Sequence, residues 1–278
     1  MFINLDTNID LQFSNVYQLE NQFCIWASEI IGDSSYIENV NIILCKSSYG
    51  TTYPKIQHNN ITFDIELDSE ILSFIESDFL KAKAIFQHEI YHCKDIKNQF
   101  ENKVFDENYF SNKIHTTYDF ILDLALSTWS EFYATYYSVK NNHWDEKYDI
   151  ESDIIFINTF IDYIHRNSRV GYLMKFPNEL LYDFRNFTYR CSTMIAFYLN
   201  ENNEDIVKKY TKKNKNKFPE YFYKILNEYQ RKLSSYPNWL EQKEFVNFGK
   251  IIFSILSLNQ INFSTDDLSD ELFFRCTK

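Results

Sequence analysis

The chain reads as an α+β protein, with a small sheet and its helices in the first half and an all-helical second half. Three observations predict this. Two apolar runs of strand character, Val40–Cys45 (VNIILC) and Ile61–Leu67 (ITFDIEL), stand in the first quarter; the second alternates Ile61, Phe63, Ile65 and Leu67 with Thr62, Asp64 and Glu66, the period of a sheet with one wet face. After Asp68 nearly every segment has helical periodicity. The chain is also long enough to bury a sizeable core: its 278 residues are 45% hydrophobic and 18% aromatic, which excludes a disordered polymer.

The elements follow in order. A helix over about Ser14–Ile31 precedes the first strand. Between the strands, Ser47–Asn60 holds Gly50, Pro54 and paired asparagines and reads as a loop. Helices are predicted over Ser69–Glu76, Ser77–Glu101, Thr117–Lys140, Ile150–Asn167, Asn178–Asn200, Phe218–Leu233 and Leu240–Leu258, with a short helical piece near Asp267–Arg275. The best break is Asn141–Asp149 (NNHWDEKYD), which gives domains over 1–140 and 150–278. Aromatic stripes such as Phe218, Tyr221, Phe222, Tyr223 and Tyr229 read as core helix packing.

Composition removes several functions. Only four glycines are present, at Gly32, Gly50, Gly171 and Gly249, and they are scattered, so no glycine-rich phosphate loop can form. A net charge of -11 repels a phosphate backbone and argues against nucleic acid as the main partner; the local basic stretch from Lys208 to Lys217 reads as a solvated loop or helix end. Five scattered cysteines, never in a CxxC pair, fit a reducing compartment. The first residues carry Asp6 and Asp10 where a secretory signal would be basic, and the most apolar run, Lys250–Leu258, is too short to span a bilayer. A cytoplasmic location is expected.

Within the Ser77–Glu101 segment stands His88-Glu89-Ile90-Tyr91-His92, an HExxH. Positions four apart share one helix face, so both imidazoles can meet one metal while the intervening Glu points toward its open coordination position. On the helical wheel His88 and His92 fall together on a polar border. Glu89 falls among Ala82, Ile85, Ile96 and Phe100, an apolar sector in which a bare charge is costly and a nearby cation would compensate it. A catalytic zinc needs a third protein ligand. Six residues beyond His92 stands Asn98, which excludes a third histidine there. Glu131, in Trp129-Ser130-Glu131-Phe132-Tyr133-Ala134, shares its helix face with Ser127, Thr128, Ala134, Thr135 and Ser138, small residues that let two helices approach closely.

HEIYHCKD followed by SEFYA resembles the HExxH plus E-x-x-A arrangement of gluzincin metallopeptidases, nearest in flavour to the ImmA/IrrE type. The resemblance covers roughly Ile61 to Ser138. It implies a zincin-like catalytic half in which a strand of the sheet borders the active-site cleft, with Ile61–Leu67 (ITFDIEL) as the candidate for that strand, His88, His92 and Glu131 ligating Zn2+ and Glu89 as the base. It also implies a peptide or protein substrate. Two departures stand out: Tyr91 occupies the place of a Gly usual in ImmA/IrrE-type motifs, and Thr135 that of an Asp found in other gluzincins. Asp95 and Asp123 are candidate outer partners for a ligating His. Candidate oxyanion donors are Tyr133, Tyr136, Tyr137, His115, His143, His165, Tyr172 and Arg190. The reaction implied is hydrolysis of a peptide bond by a water activated by Glu89 at the metal. The alternative is a catalytically inert zincin-like scaffold that acts as a protein-binding or regulatory module.

Overall fold

Alternating Val, Ile and Phe side chains bury one face of a strand, and the computed structural model of the chain assembles four strands into a sheet: β1 (Phe2–Thr7), β2 (Asn39–Cys45), β3 (Thr51–Gln57) and β4 (Asn60–Asp68). The structure describes residues 2–7, 13–32, 39–46, 50–58, 60–106, 109, 117–142, 150–167, 177–201, 218–258, 261–262 and 275–276. The sheet order is β1-β2-β4-β3, with β1, β2 and β4 parallel and β3 antiparallel at one edge. Val40 lies beside Phe63, Ile42 beside Ile65 and Leu44 beside Leu67. All six are fully buried, so this register builds one continuous apolar face.

The expected loop Ser47–Asn60 is corrected by β3. Thr51, Thr52, Tyr53 and Ile56 favour extended backbone, and Pro54, which has no N–H to donate, is tolerated because β3 is an edge strand. Gln57 pairs with Asn60, and His58 takes the positive φ (52°) that so tight a hairpin requires.

The helices beside the sheet are α1 (Phe13–Ile31), α2 (Ile71–Ser77) and α3 (Phe79–Glu101). α3 begins where the Asp78 carboxylate accepts the Lys81 N–H at 3.2 Å, an N-cap. Phe86 of α3 stacks on Phe23 of α1 (ring centroids 4.6 Å) and meets Trp26 (6.0 Å). Each such buried ring contributes about 1.5–3 kcal/mol. Polar pins add direction: Gln87 Nε2 donates to the Trp26 carbonyl and the Glu29 carboxylate, both at 2.9 Å, and Lys94 Nζ donates to the Ile30 carbonyl at 3.1 Å. They fix the rotation of α3 about its axis, and hence the face that carries His88 and His92.

The chain divides into two compact units: Met1–Glu101, Phe105–Ser111 and Tyr133–Lys147 form the first, and Asn102–Val104, Asn112–Phe132 and Tyr148–Lys278 the second. The division runs through α4 (Thr117–Asn142), a helix that the sequence break at Asn141–Asp149 assigns wholly to the first half. The second unit adds α5 (Ile150–Asn167), α6 (Pro177–Glu201), α7 (Phe218–Ser235) and α8 (Gln242–Leu258). A short antiparallel pair, β5 (Ile261–Asn262) with β6 (Arg275–Cys276), places Arg275 in a strand where a helical piece was expected; most of Asp267–Arg275, like Lys208–Lys217, lies outside the described residues.

Aromatic residues dominate the core of the second unit. Trp129 meets Trp239 edge-on at 4.9 Å, and Phe132 lies 4.2 Å from Tyr229. The Tyr229 hydroxyl shares a 2.6 Å hydrogen bond with Ser192, which gives its buried polar end a partner. A Cβ at Gly249 would stand 2.6 Å from the Ile121 carbonyl oxygen, so α4 and α8 approach here more closely than any side chain permits.

Lys232 is 1% exposed, with Nζ 3.8 Å from the Trp239 ring centroid and 3.5 Å from the Glu244 carboxylate. Burial drives its pKa down to about 8, with Glu244 opposing. Below that value both folded and unfolded chains carry the proton; above it the unfolded chain alone keeps it, up to the ordinary 10.5. Stability from this group therefore rises with pH from about 8 upward. Urea titrations at pH 7.5 and 9 should show this gain in the wild type relative to Lys232→Met, and an identical pH response in the two proteins would refute it.

Cys24, Cys45, Cys93 and Cys191 are free thiols. No helix among the described residues is long and apolar enough to cross a membrane.

Candidate metal centre

Helical spacing brings His88 and His92 together one turn apart on α3. Their half-buried rings meet edge to face with centroids 4.7 Å apart and Nε2 atoms 3.0 Å apart. Two imidazole nitrogens held at about 2.05 Å from one tetrahedral cation would be about 3.3 Å apart, so a small opening of this pair suits chelation. A Glu89 oxygen joins them in a group whose candidate ligand atoms all lie within 4.8 Å of one another.

Glu89 is 4% exposed, as its apolar sector on the wheel implies. A buried carboxylate needs a partner. Thr52 of the edge strand β3 supplies one: its hydroxyl donates to Glu89 Oε2 at 2.8 Å, with the Glu89 main-chain oxygen at 3.3 Å. Gly50, just before β3, lies against the same group, because a Cβ there would stand 2.4 Å from Glu89 Oε1. Sequence reasoning missed both residues. The signal was the Gly-x-Thr entry to a β-prone run, hidden once the whole segment was read as a loop. One turn on, the buried Cys93 thiol is pushed well above its usual pKa by burial and then by Glu89, so it is held as an unreactive thiol.

Tyr91, the departure from the ImmA/IrrE-type motif, has a packing role. It is buried, stacks on Tyr137 at 5.5 Å, meets Tyr133 at 6.1 Å, and its hydroxyl bonds to the Asn141 amide. Burial pushes its pKa up to about 12, with the Asn141 hydrogen bond opposing. Glycine would leave this space empty.

Glu131 belongs to the second unit, at one end of a polar ladder between α4 and α6. Asp123 pairs with Arg185, Ser127 with the Tyr189 hydroxyl, and Glu131 Oε1 with the Thr193 hydroxyl at 3.5 Å. The three partners on each helix are four residues apart, so one face of α4 meets one face of α6 in register.

The remaining candidates are placed as follows. Asp95 is fully buried and accepts from Gln99 Nε2 at 2.6 Å, while the Asp123 carboxylate is engaged by Arg185 in the second unit. Tyr133, Tyr136 and Tyr137 form a ring cluster on α4. Arg190 pairs with Asp153 at 2.7 Å and covers the Phe156 ring. His115, His143, Tyr172 and the His165 side chain lie outside the described residues. No protein-family model, no curated protein and no solved structure matches the chain.

Proposed function

We propose that the chain is an intracellular zinc-dependent peptide hydrolase of gluzincin type, in which His88 and His92 hold the metal and Glu89 is the general base. The observation that carries this reading is the paired imidazoles, with Nε2 atoms 3.0 Å apart, beside a carboxylate that is 4% exposed. Free thiols at Cys24 and Cys45, both partly accessible, support a reducing compartment. Bound zinc would lower the pKa of a water toward about 7 and polarise the scissile carbonyl.

The chain's own residues then have defined tasks. Glu89 takes a proton from water as the new C–O bond forms, and returns it to the amine nitrogen as the C–N bond breaks. Among the described residues the outer edge of β3 faces no other strand of the sheet, so an extended peptide can pair along it and align its backbone beside α3.

Metal removal tests the reading. The untagged protein should cleave members of a pool of fluorescence-quenched peptides, lose that cleavage in 1,10-phenanthroline, and regain it when zinc is added back in excess. Cleavage that persists unchanged through chelation would rule out the zinc-dependent route.

A further inference from the structure

We infer that Thr52 and Gly50 form the seat that aims Glu89: the Thr52 hydroxyl holds one carboxylate oxygen, and the missing side chain at Gly50 leaves room for the other. This rests on Glu89 being the base of the proposed hydrolase, and it assigns roles to two residues of β3 and its entry that the HExxH does not contain.

The two oxygens of Glu89 have different surroundings. Oε2 accepts the Thr52 hydroxyl at 2.8 Å, and since that hydroxyl has a single proton, the nearer oxygen takes it rather than the Glu89 carbonyl at 3.3 Å. Such a bond to a carboxylate is charge-assisted, and in a buried setting it restricts the side chain to one rotamer. Oε1 stands over Gly50, where an added Cβ would come within 2.4 Å of it and within 2.8 Å of Cδ. Gly50 does not have the left-handed backbone that requires glycine, and the three atoms nearest that Cβ all belong to the Glu89 side chain. Alanine at 50 is therefore compatible with the backbone and incompatible with this position of the carboxylate. Oε2 is anchored, and Oε1 is left to meet the water.

The arrangement also links substrate to base. Thr52 lies on the edge strand proposed to align the peptide, in register with Ile65 of β4, and its hydroxyl reaches α3. Seating of a peptide on β3 and orientation of Glu89 thus share one residue. Thr52 is a positioning residue, since it acts on the reaction through Glu89.

The test uses the zinc-loaded full chain and the best-cleaved member of the fluorescence-quenched pool. Thr52→Val should lower kcat by about 10- to 100-fold with KM and zinc content little changed. Thr52→Ser, which keeps the hydroxyl, should recover most of that rate, and Gly50→Ala should lower kcat with zinc content retained. A thermal double-mutant cycle gives a readout independent of turnover. Gly50→Ala should lower Tm by roughly 2–4 °C when Glu89 is present and by much less in a Glu89→Ala background. Wild-type kcat in Thr52→Val, a Thr52→Ser variant as slow as Thr52→Val, or equal Tm losses for Gly50→Ala in both backgrounds would overturn the inference. A wild type that holds zinc yet cleaves no peptide of the pool would instead overturn the hydrolase reading, and the role of Thr52 with it.

Discussion

Glu89→Gln should abolish measurable peptide hydrolysis while the protein keeps about one zinc per chain. Glutamine has the shape of glutamate and can still accept the Thr52 hydroxyl, so the seat at Gly50 and Thr52 stays filled and the fold is undisturbed. What is lost is the ability to take a proton. General-base contributions are typically about 10²- to 10⁴-fold, equivalent to about 3–5 kcal/mol in the barrier. The measurement is kcat/KM on a cleaved peptide, with zinc content determined on the same sample. Undiminished turnover in Glu89→Gln would remove the base from the mechanism and leave the histidine pair as a metal site of another purpose.

The largest stability effect is expected at the centre of the second unit. Trp129 is fully buried, edge-on to Trp239 and stacked near Tyr229 and Tyr236 at 6.2 and 5.8 Å. Truncation to alanine removes a ring whose neighbours come from the end of α7 and the turn before α8, segments that cannot all move in to fill the space. Such changes cost about 3–5 kcal/mol, a large share of the roughly 5–15 kcal/mol that holds a typical domain folded. Urea denaturation followed by far-ultraviolet circular dichroism should show the midpoint of the second unit lowered accordingly in Trp129→Ala, with Trp129→Phe recovering part of the loss. An unchanged midpoint would mean that this cluster adds little to the stability of the helices around it.

Much of the fold is legible in the residues because apolar periodicity is strong. The alternation in Ile61–Leu67 identifies β4 and its buried face, and the long periodic segments become α1 and α3–α8 with ends that shift by a few residues. The two strands of the four-stranded sheet that were not anticipated are its edge strands. β1 (FINLDT) and β3 (TTYPKIQ) are short or polar at alternate positions, and each is made a strand by pairing with a better-patterned neighbour, β2 or β4. Tertiary context overrides local propensity in such places.

The same contrast holds at the candidate site. His88, Glu89 and His92 are legible because helical spacing alone predicts their common neighbourhood, and the four-residue interval is realised in the 3.0 Å approach of the rings. Thr52 and Gly50 are not legible, because their relation to Glu89 depends on the docking of β3 beside α3, a long-range contact that no local pattern encodes. Tyr91 illustrates a third case. Its place in the motif looks like a departure until the ring is seen stacked on Tyr137, where bulk is required.

Native mass spectrometry of the untagged protein and of His88→Ala, read for bound zinc, decides whether the histidine pair holds a metal. One zinc per wild-type chain and none in His88→Ala are expected if the paired imidazoles hold the metal. A wild-type chain that takes up no zinc from a zinc-containing buffer, or an His88→Ala variant that holds it as tightly as the wild type, would contradict it.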